Sequence, residues 1–175
     1  MDKLVELPLN QAIDVATTLL QETNAVLPVS TQMLERLRLN LDDEMGMKRI
    51  LKMLIMYGAP SPILTDQLLE LLQISEYPKG IIECTAALAG NNEKNLEKII
   101  MSFQDFIHSA GDGDLWLNII GALSELELTS ERLRIRVFKL ITESLDIVEE
   151  EDVPIVVRTL LHTVTKSTAQ QIVRL

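Results

Sequence analysis

Cysteine, histidine and aromatic residues are scarce in this 175-residue chain. The single cysteine, Cys84, cannot form an internal disulfide, which fits a reducing compartment such as the cytosol or nucleus. His108 and His162 are the only histidines, and their wide separation does not match the spacing of zinc ligands. Aromatics make up only 3% of the residues, whereas hydrophobic residues make up 47%. A core rich in leucine, isoleucine, valine, alanine and methionine favours packing of helices on helices.

Basic residues and long apolar runs are also in short supply. Lysine and arginine number 16 against 26 aspartate and glutamate residues, which gives a net charge of −10. Because affinity for DNA depends on basic side chains that neutralise phosphates, we expect negligible binding of duplex DNA by this chain alone. No apolar run approaches the ~20 residues of a membrane span. The N-terminus lacks the basic start and apolar core of a signal peptide. We therefore expect no membrane association.

Helix caps and hydrophobic periodicity predict an all-α chain of about ten helices. Apolar residues recur at helical spacing after each cap, and no segment alternates with period two, so no strand is predicted. Pro78 opens the fifth predicted helix, and Gly90 ends it. The other predicted N-caps are Asn10, Ser30, Asp42 or Asp43, Ser61, Asn92, Asp114, Thr129, Asp152 and Ser167. The most regular apolar stripe comprises Leu96, Ile99, Ile100, Phe103, Phe106 and Ile107.

The spacing of these caps predicts a repeat. Alternate caps lie 31 residues apart from Ser30 to Ser61 and 38 apart from Thr129 to Ser167. Helix pairs that recur at such intervals with short loops are typical of a stacked α-solenoid. Since no tetratricopeptide or ankyrin consensus is present, we predict irregular HEAT-like repeats that form a single segment over 1–175. A compact, non-repeating bundle is the alternative.

The last predicted helix is unusually short. Ser167 and Gln170 form a capping-box pattern, and Ile172, Val173 and Leu175 follow before the sequence stops. A helix of about two turns is below the usual independent length. We therefore expect the chain to be a fragment of a larger scaffold protein, with further helices packed on its far end.

The helix predicted after Asp152 is the most distinctive stretch. Asp152 is the predicted N-cap, and Pro154 falls in the first turn, where its missing amide hydrogen costs nothing. The stripe expected to be buried comprises Val153, Val156, Val157, Leu160, Leu161 and Val164. The mostly polar face expected in solvent comprises Ile155, Arg158, Thr159, His162 and Lys166.

Few residues suggest chemistry, and each has a simpler structural interpretation. His162 is most simply a solvated residue and Cys84 a small core residue. The run from Gly111 to Asp114 resembles part of a calcium loop. However, Leu115 and Trp116 follow at once, where oxygen ligands would be needed, so a turn and helix cap are favoured.

Charged clusters are the remaining candidates for function. Glu149, Glu150, Glu151 and Asp152 lie near Asp146, and paired carboxylates can perform acid–base catalysis only in a pocket. The dipole of the following helix explains them adequately. Two basic clusters could bind a partner, although solvated faces are favoured. They comprise Arg132, Arg136 and Lys139, and Lys48, Arg49 and Lys52.

No phosphate-binding glycine motif or catalytic triad signature occurs. We therefore predict no catalytic, cofactor-binding or metal-binding residues, no small-molecule ligand and no enzymatic activity. An enzyme that uses the carboxylate cluster is a weaker hypothesis.

The stretch Glu151–Thr165 resembles the Fanconi anaemia group D2 family. In that family an acidic pair, an apolar residue, a proline and β-branched residues lead into Leu-His-x-Val-Thr. Here Glu151 and Asp152 form the acidic pair, and Leu161–Thr165 forms the final motif. Weaker similarity extends back to about Ile50, through Gln73–Ser75 with Pro78, Ile119–Leu128 and Leu133–Leu145. Most other positions differ, so the chain resembles a distant member. The related group I protein is a poorer match at Leu161–Thr165.

The resemblance implies a nuclear α-solenoid scaffold that acts in the repair of DNA interstrand crosslinks. Its implied partners are the Fanconi group I protein and core-complex subunits, and it would contact DNA only as part of the full-length complex. The family is mono-ubiquitinated on a lysine, but this fragment resembles the solenoid ahead of that lysine. No acceptor is therefore assigned among Lys48, Lys52, Lys79, Lys94, Lys98 and Lys139. A generic HEAT- or armadillo-like adaptor unrelated to DNA repair is the alternative.

Overall fold

The chain is helical throughout the part that the structure describes. A computed structural model describes residues 4–110, 113–145 and 148–169. Nine α-helices and no strand occur within these ranges, which confirms the all-α helical-repeat fold. The helices are α1 Leu9–Glu22, α2 Val26–Leu39, α3 Glu44–Tyr57, α4 Pro62–Ile74, α5 Pro78–Ala87, α6 Glu93–Ala110, α7 Gly113–Ser124, α8 Glu131–Thr142 and α9 Val153–Thr163. A short 3-10 turn, Glu150–Asp152, precedes α9.

The first of two compact units, Met1–Ala89, contains α1 to α5. Helix α3 packs on both α1 and α5, and α2 packs on α4, so the helices form two layers. Contacts between α1 and α2, α2 and α3, and α4 and α5 join these layers. Successive helices of the first layer begin 35 residues apart from Leu9 to Glu44, and 34 apart from Glu44 to Pro78. This arrangement of stacked helix pairs is that of an α-solenoid.

The second unit, Gly90–Leu175, repeats the arrangement with α6 to α9. Helix α6 packs on α8, and α7 packs on α9, while contacts between α6 and α7 and between α8 and α9 join the two pairs. The interval from Glu93 to Glu131 is 38 residues, close to the predicted period. The single segment over 1–175 stays a prediction.

The core is aliphatic, as the composition predicts. All four apolar residues of the predicted α4 stripe are buried, namely Leu64, Leu68, Leu71 and Leu72. In α6, the first four residues of the regular stripe are fully buried, namely Leu96, Ile99, Ile100 and Phe103. Phe106 and Ile107, nearer the end of that helix, are only half-buried.

Several predicted helix ends are confirmed. Asp43 caps α3, where its carboxylate accepts a hydrogen bond of 2.9 Å from the Gly46 amide. The Asn92 side chain accepts one of 3.1 Å from the Asn95 amide and caps α6. Ser61 and Pro62 begin α4. Helix α5 ends at Ala87, three residues before the predicted end at Gly90, which has a positive φ of 63°, a conformation that suits glycine.

Other predicted caps are wrong because tertiary packing extends the helices past them. Helix α2 begins at Val26, four residues before Ser30, which is fully buried inside it. Pro28 is tolerated because it lies in the first turn. Asn10 lies inside α1, where its side chain accepts a hydrogen bond from Arg49 of α3.

Differences in the second unit are smaller. Helix α7 begins at Gly113, so Asp114 lies in its first turn, and Ser130 rather than Thr129 is the N-cap of α8. Gly111 and Asp112 lie outside the described residues. A turn closed by a hydrogen bond from the Thr168 amide to the Thr165 carbonyl follows α9. The predicted tenth helix falls largely on residues 170–175, outside the described ranges.

The buried face of α9 differs from the predicted stripe. Val156 and Leu160 are buried as expected, but Val153 and Val157 are each 45% exposed and Leu161 is 64% exposed. Fully buried threonines take their place, namely Thr159 and Thr163. The two hydroxyls donate to carbonyls of their own helix, at 2.8 Å and 3.0 Å, so burying them costs little.

The buried face of α9 is thus rotated relative to the predicted stripe. Two further features of this helix concern its packing and its N-terminus. A Cβ added at Gly121 of α7 would lie 3.3 Å from the half-buried Ile155, so the glycine allows close approach of α7 and α9. Asp152 occupies the N-cap position as predicted, but among the described residues its carboxylate accepts no capping hydrogen bond.

Candidate protein-binding groove

The cysteine has the environment of a core residue. Cys84 lies in α5 and is fully buried. Desolvation by this burial raises the pKa of the thiol to about 12, from an ordinary value of 9.0. The nucleophilic form of cysteine is the thiolate, which is therefore almost absent at neutral pH. Cys84 packs in the core and is poorly suited to covalent chemistry.

Both histidines and the acidic residues just ahead of α9 lie in largely exposed positions. His108 is exposed near the end of α6, and the exposed His162 lies 3.2 Å through Nε2 from the Leu126 carbonyl oxygen. Among the described residues, no group of three or more histidine, cysteine or acidic side chains could hold a metal ion. Glu149, Glu150 and Glu151 are solvent-exposed. Asp146 lies outside the described ranges. These carboxylates are exposed to water, whereas acid–base catalysis needs carboxylates that lie in a pocket.

The basic clusters are largely engaged within the fold. Arg132 and Arg136 of α8 both pair with Glu97 of α6, and Arg136 also donates to Gln104 at 3.3 Å. These contacts join α6 to α8. In the other cluster, Lys48 pairs with Glu44 at 2.5 Å, and Arg49 bonds to Asn10. A structural interpretation therefore accounts for most of this positive charge.

A groove in the first unit is the best candidate site. It lies between the C-terminal halves of α2 and α4, and its volume is about 420 Å³. Leu34 and Leu71 are buried at its base, whereas Ile74 is 53% exposed. Polar residues complete the lining, namely Glu35, Arg38, Gln67, Glu70 and Gln73. Because residues three and four apart share a helix face, each helix brings several of these side chains to the groove.

The groove has a net negative character. Glu35 and Glu70 supply two carboxylates, and Arg38 is the only cation among its lining residues. Arg38 approaches Glu70 only to 3.9 Å, and both side chains are more than half exposed, so water weakens their attraction. Helices α2 and α4 end close by, at Leu39 and Ile74, and helix C-termini carry partial negative charge.

One lining residue has an unsatisfied polar atom. The Oε1 atom of Gln67 is buried and has no hydrogen-bond partner in the part of the chain that the structure describes. An acceptor in this state costs free energy, and a donor from a bound molecule would remove that cost.

Sequence patterns do not predict this groove. Leu34 and Leu71 follow the ordinary pattern of core positions, and Glu35 and Arg38 resemble solvated charges. The groove forms between helices that are not consecutive in sequence, so no local pattern encodes it. Ile74 was the one available signal, because it follows the buried α4 stripe without belonging to it.

Comparisons with known proteins assign no family. No protein-family model matches the chain, and no curated protein or solved structure matches it either. Within the described ranges, no helix has the length and apolar character needed to cross a membrane.

Proposed function

We propose that this chain is a non-enzymatic scaffold segment that binds other proteins through the surfaces of its helices. The observation that carries this proposal is the α2–α4 groove, where apolar side chains border charged ones at an opening to solvent. Concave sites that combine apolar walls with a few polar groups are typical of binding sites.

The specific form of the proposal is a scaffold similar to the Fanconi anaemia group D2 family, acting in the nucleus in the repair of DNA interstrand crosslinks. The Glu151–Thr165 resemblance supports it, and the helical-repeat fold agrees with it. The proposed partners are the group I protein and core-complex subunits. DNA would be contacted only within the full-length complex.

Co-purification with the cognate group I protein tests this form. We expect the tagged chain to retain the group I protein through gel filtration. Val157→Asp and Leu161→Asp change exposed residues of the resembling stretch, so they should weaken retention if that stretch contacts the partner. Val15→Asp on α1 is the matched control, since Val15 is similarly exposed at 42%. Failure of both this chain and its full-length parent to bind would count heavily against the proposal.

A generic helical-repeat adaptor is the second candidate, and the groove favours it. Such an adaptor would bind a peptide in the groove without any affinity for the group I protein. Flanking gene sequence without Fanconi-like helices would also favour this alternative.

A further inference from the structure

We infer that the α2–α4 groove binds a short basic segment of a partner protein, in which arginine or lysine residues flank an aliphatic side chain. This inference rests on the proposed scaffold function and specifies the chemistry of one partner. Three properties of the groove support it: its dimensions, its charge and its unsatisfied acceptor.

The dimensions suit one or two aliphatic side chains. On α4 the lining extends from Gln67 to Ile74, which corresponds to about 10 Å along a helix axis. An extended chain covers that distance in about three residues. Leu34 and Leu71 provide an apolar base, and Ile74 provides an exposed apolar edge. A leucine-sized side chain would bury this surface and displace water from it.

The charge selects basic neighbours. Glu35 and Glu70 outnumber Arg38 at the groove, and the C-terminal ends of α2 and α4 add partial negative charge. The net charge of −10 on the chain would also attract a cationic segment over a longer range. An acidic segment would meet repulsion at the same positions.

The unsatisfied acceptor offers a specific contact. A turn of the Gln67 amide towards the groove would let Oε1 accept a hydrogen bond from a guanidinium, an ammonium or a peptide amide. Arginine suits this position well because it carries five donors and can also pair with a carboxylate.

Fluorescence anisotropy with a defined probe tests the inference. The probe is a labelled peptide with Arg-Leu-Arg-Leu between Gly-Ser ends. One control peptide replaces arginine by glutamate, and another replaces leucine by serine. We expect saturable binding of the basic probe and of neither control peptide. Salt should weaken this binding because exposed charges are screened. Binding of all three peptides with similar affinity, or no saturation by the basic probe, would overturn the inference.

Substitutions then locate the site. Glu70→Lys should weaken binding of the basic probe by about tenfold or more, because it removes one attraction and adds a repulsion. Glu83→Lys on α5 makes the same charge change at an exposed position outside the groove lining and should have little effect. Ile74→Ser should also weaken binding, whereas Ile55→Ser on α3 should not. Equal effects at groove and control positions would contradict the assignment.

Gln67→Leu separates binding from folding. This change removes the buried acceptor, so we expect an unchanged or raised melting temperature together with about threefold weaker binding of the arginine probe. Unchanged affinity would rule out the proposed Gln67 contact. Self-association that Glu70→Lys abolishes would instead assign the groove to a second copy and overturn the inference.

Failure of the inference remains distinguishable from failure of the proposed function. Retention of the group I protein by the native chain and by Glu70→Lys alike, with no probe binding, would reject only the groove assignment. Probe binding without retention would reject the group D2-like function and leave the groove assignment intact.

Discussion

At the scale of single residues, polar side chains inside this fold bond mainly to backbone carbonyls. The buried Thr85 donates to the Ile81 carbonyl at 2.7 Å, and Thr159 does the same within α9. Arg36 makes three contacts of this kind with residues that are distant in the sequence. Its Nη1 atom donates to the carbonyls of Leu4, Val5 and Leu7, at 3.0, 3.0 and 2.6 Å. One side chain of α2 thus holds the segment that precedes α1.

Replacement of Arg36 by alanine should destabilise the first unit. We expect a loss of about 1–3 kcal/mol in the free energy of unfolding, since three carbonyls lose a charged donor. Urea titration followed by circular dichroism measures this loss. Arg38→Ala is the matched control on the same helix, because its exposed ion pair with Glu70 should contribute less than about 1 kcal/mol. A similar loss in both variants would contradict the anchoring role of Arg36.

The buried thiol predicts a specific dependence of stability on pH. Cys84 should titrate near its ordinary pKa of 9.0 when unfolded but at about 12 when folded. Between these values the unfolded chain releases a proton that the folded chain keeps, so Cys84 lowers the free energy of unfolding as the pH rises. Below pH 9 its contribution is fully present.

Urea midpoints at several pH values, compared between the native chain and Cys84→Ala, isolate this effect from tyrosine and lysine titration. The native midpoint should fall more steeply above pH 9 than that of the variant. Parallel curves would show that the thiol is not desolvated in the folded state. A thiol-reactive dye should likewise label Cys84 only after unfolding.

At the scale of helices, the sequence predicts existence and spacing better than orientation. The intervals between caps follow from local chemistry, because a cap and an apolar stripe lie within one segment. The burial of Ser30 and the rotation of α9 depend on neighbouring helices. In α9, valine and threonine have similar shapes, so Thr159 can replace an expected apolar residue in the core once its hydroxyl is bonded.

The rotation of α9 predicts unequal effects at two adjacent leucines. Leu160 is 7% exposed and Leu161 is 64% exposed, although both belong to the stripe predicted from the sequence. Leu160→Ala should cost about 2–4 kcal/mol because it leaves a cavity. Leu161→Ala should change the free energy of unfolding by less than about 0.5 kcal/mol. Thermal and urea unfolding of both variants measure the difference. Equal losses of stability would indicate that Leu161 is buried, as the sequence pattern predicts.

At the scale of the whole molecule, composition and period predict the repeat fold but not the groove. Few aromatics, many aliphatic residues and helix pairs at intervals near 35 residues favour stacked layers over a sheet. Leu34 and Ile74 line the same groove only because α2 packs on α4, which lies two helices later in the chain. Apart from the exposed apolar Ile74, a site assembled in this way has no local signature, so sequence patterns do not predict its residues.

The net charge of the chain and its ion pairs argue against direct binding of DNA. The net charge is −10, and Arg132 and Arg136 already pair with Glu97. Non-specific DNA-binding proteins reach dissociation constants of about 10⁻⁴–10⁻⁶ M by neutralising phosphates. We expect a labelled duplex to show no saturable binding at about 100 µM of this chain in low salt, where electrostatic attraction is strongest.

A charge variant makes that expectation sharper. Glu97→Gln removes the ion-pair partner of Arg132 and Arg136, so any detectable duplex binding should be stronger in this variant than in the native chain. The gain should disappear as salt rises from about 50 to 200 mM, since affinity falls steeply with salt when phosphates are neutralised. Tight, salt-sensitive binding by the native chain would contradict the prediction and would require a basic surface that the described residues do not provide. Weak binding confined to Glu97→Gln would show that internal ion pairs, together with the net charge, keep these arginines from phosphate.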